Sequence, residues 1–154
     1  MRFNPAMFCH RMRVTYADCT IGNHVYYSRY LDFLEAARGE LFRSLGHPFL
    51  AWQERGVIFP VLEARLRYHQ PARYDDELAV HIEVAALRRA FLTLAYRVER
   101  AADGALLLEA ETRHVCTSLD EKPRRIPPEL ADALEPHWRP IAEPLHDPPT
   151  EIED

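Results

Sequence analysis

In the run Arg13-Val14-Thr15-Tyr16-Ala17-Asp18-Cys19-Thr20-Ile21-Gly22-Asn23-His24-Val25-Tyr26-Tyr27, one carboxylate stands between a short apolar stretch and a Gly-Asn corner. The corner leads into the longest amphipathic segment of the chain. A strand ending at Asp18 and followed by a helix start would set this carboxylate beside the backbone N–H groups that a first helical turn leaves unbonded. Such a pair can attack an activated carbonyl, or draw a proton from water, while the amides hold the oxyanion that develops. An aspartate ahead of a helix is also an ordinary cap or turn former, and spacing alone favours that role. Cys19 would point to the opposite face of a strand from Asp18, with no base placed for it, so a thiolate mechanism is set aside.

The elements that must position Asp18 follow from hydrophobic period. Tyr30, Phe33, Leu34, Ala37, Leu41 and Leu45 recur at three and four, which predicts a helix over Ser28–Leu45, capped by Ser28 and ended by Gly46-His47-Pro48. At about 100° per residue the apolar arc also takes in Leu31 and Phe42, too wide for one flat surface, so a sheet should wrap it. Arg38 falls inside the arc with Glu35 three residues before it, and an ion pair in a buried or intersubunit seam is expected. A strand is predicted over Met12–Ala17 and a short helix over Phe49–Arg55. Alternation of period two marks strands in Leu62–His69, Leu78–Val84 and Leu92–Val98, and Ala102-Asp103-Gly104 should close a hairpin onto Ala105–Ser118. One early strand, a long helix and four consecutive strands make an α+β layout. We expect a hot-dog fold, a long central helix wrapped by a curled, mainly antiparallel five-stranded sheet.

Composition narrows the function classes. With 154 residues and 47% hydrophobic content, one domain over 1–139 is expected, with a Pro-rich acidic tail at 140–154 that is poorly ordered. A net charge of −5 argues against a nucleic-acid partner, so an anionic ligand must use a local cluster. Arg88 and Arg89 lie in a hairpin-length connection, where guanidinium forks suit phosphate oxygens, and Lys122, Arg124 and Arg125 form a second basic group. Three separated cysteines, the lack of an apolar leader and the lack of any run near the ~18 apolar residues of a membrane span point to the cytoplasm. No G-x-G-x-x-G spacing occurs, which argues against a dinucleotide site. His81 with Glu83, and His114 with Cys116, share strand faces, but packing explains them better than a metal.

The run from Val14 to Arg38 resembles the signature of the 4-hydroxybenzoyl-CoA thioesterase and YbgC-like family of hot-dog acyl-CoA thioesterases. Leu87-Arg88-Arg89-Ala90-Phe91 and Lys122-Pro123-Arg124-Arg125-Ile126-Pro127 are similar to later parts of the same family, in the same order. The resemblance implies a homodimer with joined sheets, often paired into a homotetramer, hydrolysing acyl- or aroyl-CoA without metal or redox cofactor. It implies Asp18 as nucleophile or general base and backbone amides around Tyr26 and Tyr27 as the oxyanion site. His24 would orient water or thioester, and Arg88, Arg89, Lys122 and Arg124 would bind the substrate's phosphates. The chain departs from the pattern at Thr20, where many members carry a second Asp, at Tyr27, where some carry His, and at Ala90, often Lys. A non-catalytic hot-dog module that binds acyl-CoA or an acyl carrier protein is the alternative.

Overall fold

In chain order the elements are β1 (Phe8–Arg13), a 3₁₀ turn (Tyr16–Asp18), β2 (Cys19–Thr20), β3 (His24–Val25), α1 (Arg29–Ser44), α2 (Phe49–Glu54), β4 (Val61–Tyr68), β5 (Glu77–Leu87), β6 (Phe91–Arg100), β7 (Leu106–Val115) and α3 (Pro128–Leu134). This computed structural model describes residues 7–139, so the expected tail at 140–154 lies outside the described residues. Five strands form one antiparallel sheet in the order β1-β5-β6-β7-β4, and β2 pairs with β3 in a separate small hairpin. The helix α1 packs on the sheet's inner face against β1 and β5. This is the hot-dog layout that the periodicities predict.

The helix buries Tyr30, Phe33, Leu34, Ala37, Leu41 and Phe42 against inner-face residues such as Leu78, Val80, Ile82, Leu94 and Val98. Its end follows from Gly46, whose φ of 75° is in the left-handed region. That geometry lets His47 N–H reach the Phe42 carbonyl (3.0 Å) and Gly46 N–H the Arg43 carbonyl (3.0 Å). Its start differs from expectation, since Ser28 precedes the helix but makes no side-chain capping bond. Leu31, placed in the apolar arc by sequence, is 44% exposed. The arc at that point runs past the sheet's coverage.

Two strand expectations are corrected. The strand expected over Met12–Ala17 ends at Arg13, because Thr15 and Asp18 close a 3₁₀ turn instead. The alternating segment at Leu62–His69 does form β4, but as the edge strand beyond β7, where Tyr68 meets Tyr30 of α1 edge to face at 5.3 Å and Val61, Leu62 and Tyr68 remain exposed. A register shift between Val61 and Glu63 bulges Leu62 out of the ladder.

The inner face of the sheet is apolar except along one line. Tyr96 on β6 and Thr112 and His114 on β7 are buried there. Arg38 Nη1 donates to Tyr96 Oη (3.4 Å), Tyr96 Oη lies 2.8 Å from Thr112 Oγ1, Thr112 Oγ1 lies 2.8 Å from His114 Nε2, and His114 Nδ1 lies 3.2 Å from the Phe59 carbonyl. Donor and acceptor chemistry assigns this chain one direction. A carbonyl only accepts, so His114 carries its proton on Nδ1. Burial, with the Arg38 charge nearby, lowers the imidazole pKa to about 4, so at neutral pH Nε2 is an acceptor. Thr112 therefore donates to His114 and accepts from Tyr96, whose phenol is kept protonated by burial. Arg38 can only donate. The expected Glu35–Arg38 pair does not form, since Glu35 is exposed and Arg38 reaches to the sheet.

Two expectations follow. Leu34, 1% exposed, should cost about 2–5 kcal/mol of stability on replacement by Ala, whereas Leu31→Ala should cost far less, as measured by urea unfolding. His114 binds its proton more readily unfolded, at its ordinary 6.5, than folded, at about 4. Its contribution is therefore complete above about pH 6.5 and is lost as pH falls to about 4, on the order of 3 kcal/mol in total. Unfolding midpoints compared at pH 7 and pH 4.5 should fall more for wild type than for His114→Gln.

Candidate active site

After Arg13 the chain leaves the edge of the sheet and is caught by the segment that precedes β5. Val14 N–H donates to the Asp76 carbonyl (2.9 Å), and Asp75 N–H donates back to the Val14 carbonyl (3.1 Å). Asp18 then sits in the 3₁₀ turn rather than at a strand end. Its Oδ2 accepts Thr15 N–H (2.8 Å) and Thr15 Oγ1–H (2.9 Å), which fixes the carboxylate's plane. Asp18 is half-buried, and its Oδ1 makes no hydrogen bond among the described residues. One carboxylate oxygen is thus anchored and the other is available. Cys19 is turned back to the Thr15 carbonyl, with Sγ at 3.7 Å.

The corner after Thr20 needs two left-handed residues, and Gly22 (φ 84°) and Asn23 (φ 60°) supply them. Asn23 Oδ1 also accepts Tyr74 N–H (3.1 Å), and Val25 N–H donates to the Ala72 carbonyl (2.9 Å), so the corner is tied to the same segment as Val14. His24 is exposed and makes no side-chain hydrogen bond among the described residues.

The sequence expectation for the oxyanion donors changes at Tyr26. Its N–H donates to the backbone carbonyl of Asp18 (2.9 Å), which holds the carboxylate beside the helix start but removes that amide as a donor to a ligand. The Tyr27 and Ser28 amides have no acceptor among the described residues. Exposed aromatic rings surround the loop. Tyr26 and Tyr27 lie 4.8 Å apart, Tyr16 and Tyr74 meet edge to face at 5.9 Å, and Tyr68 Oη donates to the Tyr27 carbonyl (2.9 Å).

The two basic groups, distant in sequence, are brought together. Cys116 N–H donates to the Ala90 carbonyl (2.7 Å), Ile126 N–H to the Arg89 carbonyl (2.8 Å), and Arg124 N–H to the Cys116 carbonyl (2.9 Å). Arg88, Arg89, Lys122 and Arg124 are exposed there. Arg113, which the sequence reading passed over, joins them through the Phe91 ring, its guanidinium carbon 4.8 Å from the ring centre. No hydrogen bond or ion pair among the described residues links this cluster to the Asp18 loop. The loop is held at residues 72–76, before β5, and Arg88 follows the other end of that strand. Eleven strand residues put roughly 30 Å between them.

A groove of about 630 Å³ runs between α1, from Asp32 to Arg43, and the segment Val57–Pro60. Arg38 and Phe59, the two ends of the buried hydrogen-bond chain, both line it. Nothing in sequence spacing signals this site, because its residues come from separate elements.

Residues 14–134 match the thioesterase-like superfamily. The chain is 35% identical over 125 residues to the acyl-CoA thioester hydrolase YbgC of Escherichia coli O157:H7, covering 80% of this chain and 92% of that one. It is 28% identical over 126 residues to a 1,4-dihydroxy-2-naphthoyl-CoA hydrolase of Thermosynechococcus vestitus, covering 81% and 83%. The crystal structure of a hypothetical protein, TT1821, from Thermus thermophilus matches with a TM-score of 0.78 at 37% identity, covering 84% of this chain and 98% of that one. The match takes in the Asp18 loop, α1, the sheet strands from β4 to β7 and α3, and on it the chain belongs to the thioesterase-like superfamily of hot-dog enzymes.

Proposed function

We propose that this protein hydrolyses the thioester of an acyl- or aroyl-CoA to the free acid and CoA, with Asp18 as the catalytic carboxylate. The observation that carries the reading is the split state of that carboxylate. Oδ2 is locked by Thr15 while Oδ1 is free, next to a helix start with unbonded amides at Tyr27 and Ser28. Oδ1 either attacks the thioester carbonyl, expelling the CoA thiolate and leaving an Asp18 anhydride that water then hydrolyses, or takes a proton from a water that adds to the carbonyl and expels the thiolate, which is protonated to CoA. In both routes the amides stabilise the oxyanion more than the ground-state carbonyl. Water is the only co-reactant. His24 and the rings of Tyr26 and Tyr27 border the site and orient the acyl group or the water. The relatives named for acyl-CoA and naphthoyl-CoA hydrolysis support the substrate class.

The phosphates of CoA go to Arg88, Arg89, Lys122 and Arg124. The Asp18 loop is anchored before β5 and Arg88 follows its far end, with roughly 30 Å of strand between those two points, longer than the pantetheine arm that joins thioester to phosphates in CoA. A second copy must then supply one half of each site, as a homodimer or a dimer of dimers does. The uncovered edge of β4, with exposed Val61 and Leu62, supports the same reading. Cytoplasmic residence is part of it too, and among the described residues no helix is long and apolar enough to cross a membrane. The capping role of Asp18 would serve equally in a non-catalytic module for acyl-CoA or an acyl carrier protein, and that is the reading the first experiment decides.

Asp18→Asn keeps an oxygen for Thr15 and removes the charge, so folding and CoA binding should persist while kcat for acyl-CoA falls at least ~10²-fold. Near wild-type turnover would leave the non-catalytic module standing. The shared site has its own check. Asp18→Asn protein and Arg88→Ala/Arg89→Ala protein, each impaired alone, should on mixing and reassembly recover up to about a quarter of wild-type activity, since half of randomly paired dimers hold one intact site. Static light scattering should show at least twice the 17.9 kDa chain mass. No recovery from verified mixed dimers would place both groups in one chain's site.

A further inference from the structure

Arg38 stands on the wall of the groove between α1 and Val57–Pro60. Of the two guanidinium groups there, Arg43 is paired with Glu40 at 2.7 Å, whereas Arg38 is half-buried and has no carboxylate partner among the described residues. Asp32 is engaged by Arg29 at 3.4 Å, and Glu35, exposed, lines the same groove without pairing with Arg38. A guanidinium has five N–H donors, and the one protein bond made by Arg38 is a long one, 3.4 Å to Tyr96 Oη. Withdrawing such a cation from water is unfavourable until an oxyanion meets its free donors.

Behind this cation lies the buried hydrogen-bond chain, which it meets through the long contact to Tyr96. Tyr96 is held by Thr112 and His114, and the chain ends on the carbonyl of Phe59, which lines the opposite wall. Tyr96 and the far wall are thus ordered relative to each other before any ligand arrives, and the guanidinium stands over that chain. That far wall is apolar, formed by Val57, Ile58, Phe59 and Pro60, and about 630 Å³ suits a small ligand.

We propose that this groove binds a free carboxylic acid with an apolar body, its carboxylate on the guanidinium of Arg38 and its hydrocarbon or aryl part against Val57–Pro60. Acids of this class are what hydrolysis of an acyl thioester releases. Naming the ligand as the reaction's product rests on the function proposed above, but the binding site does not.

Titration calorimetry on the full chain with octanoate and octan-1-ol tests the site. Wild type should bind octanoate at least tenfold tighter than the alcohol, and Arg38→Gln should remove that preference. Tyr96→Phe, which leaves the cation and removes its brace, should weaken octanoate binding several-fold, while Arg11→Gln on the outer face of the sheet should leave it unchanged. Asp18→Asn protein should bind octanoate as wild type does, so loss of turnover and loss of this site are separately visible. Equal affinity of wild type for acid and alcohol, or undiminished octanoate binding by Arg38→Gln, would overturn the proposal. Should Arg38→Gln fail to fold, the acid-against-alcohol comparison on wild type decides alone.

Discussion

The Tyr30 hydroxyl accepts the Ala72 amide at 2.9 Å inside the core, and the whole Asp18 region hangs on that seam. Ala72 also gives its carbonyl to Val25 N–H, so one residue ties the first turn of α1 and the β2–β3 hairpin to the segment leading into β5. A buried amide left without an acceptor costs about 1–3 kcal/mol, which makes the connection hard to slip. With Val14, Asn23 and Val25 all fastened to residues 72–76, the loop between them has little freedom, and Asp18 is held against the helix start by Tyr26 N–H. The placement of Asp18, and with it the chemistry proposed for it, thus depends on packing that Asp18 does not itself make.

The same sheet that fixes Asp18 separates it from the basic cluster. The strand β5 carries the loop's anchor at one end and the Arg88–Arg89 turn at the other, while cross-bonds through Cys116 gather Lys122 and Arg124 at that second end. A chain of net charge −5 therefore concentrates positive charge at one pole. The distance between poles follows strand length, and the shared site proposed above rests on it. The uncovered edge strand β4 offers backbone groups through which a second sheet could continue.

On the inner face of the sheet, buried polarity is confined to one hydrogen-bond chain among the described residues. Each member from Tyr96 to Phe59 has its partner, which is the condition under which buried polar groups are tolerated. Protonating His114 would make Nε2 a donor, reverse the Thr112 and Tyr96 hydroxyls, and leave Tyr96 facing a guanidinium that cannot accept. Burial first, and the Arg38 charge second, hold the His114 pKa low, which keeps this direction of donation at neutral pH.

Hydrophobic period alone determined the long helix, the order of strands and helices, and the α+β class, because residues three, four or two apart meet their neighbours within one element. Residue chemistry marked Asp18 and the two basic groups as candidates, and only the resemblance of Val14–Arg38 to the thioesterase signature attached thioester chemistry to them. Tertiary structure decided the rest. Asp18 lies in a 3₁₀ turn because Thr15 offers both N–H and Oγ1–H to its carboxylate, a local competition that the apolar pattern of Val14–Ala17 does not encode. Tyr26 lost its free amide to Asp18, Leu31 fell beyond the helix–sheet contact, β4 took the sheet edge, and Arg38 chose Tyr96 over Glu35. Tyr96 is 58 residues from Arg38, and that pairing exists only once β6 has its register in the sheet. Contacts across such separations depend on which strands become neighbours, and the spacing of residues along the chain carries no record of that choice.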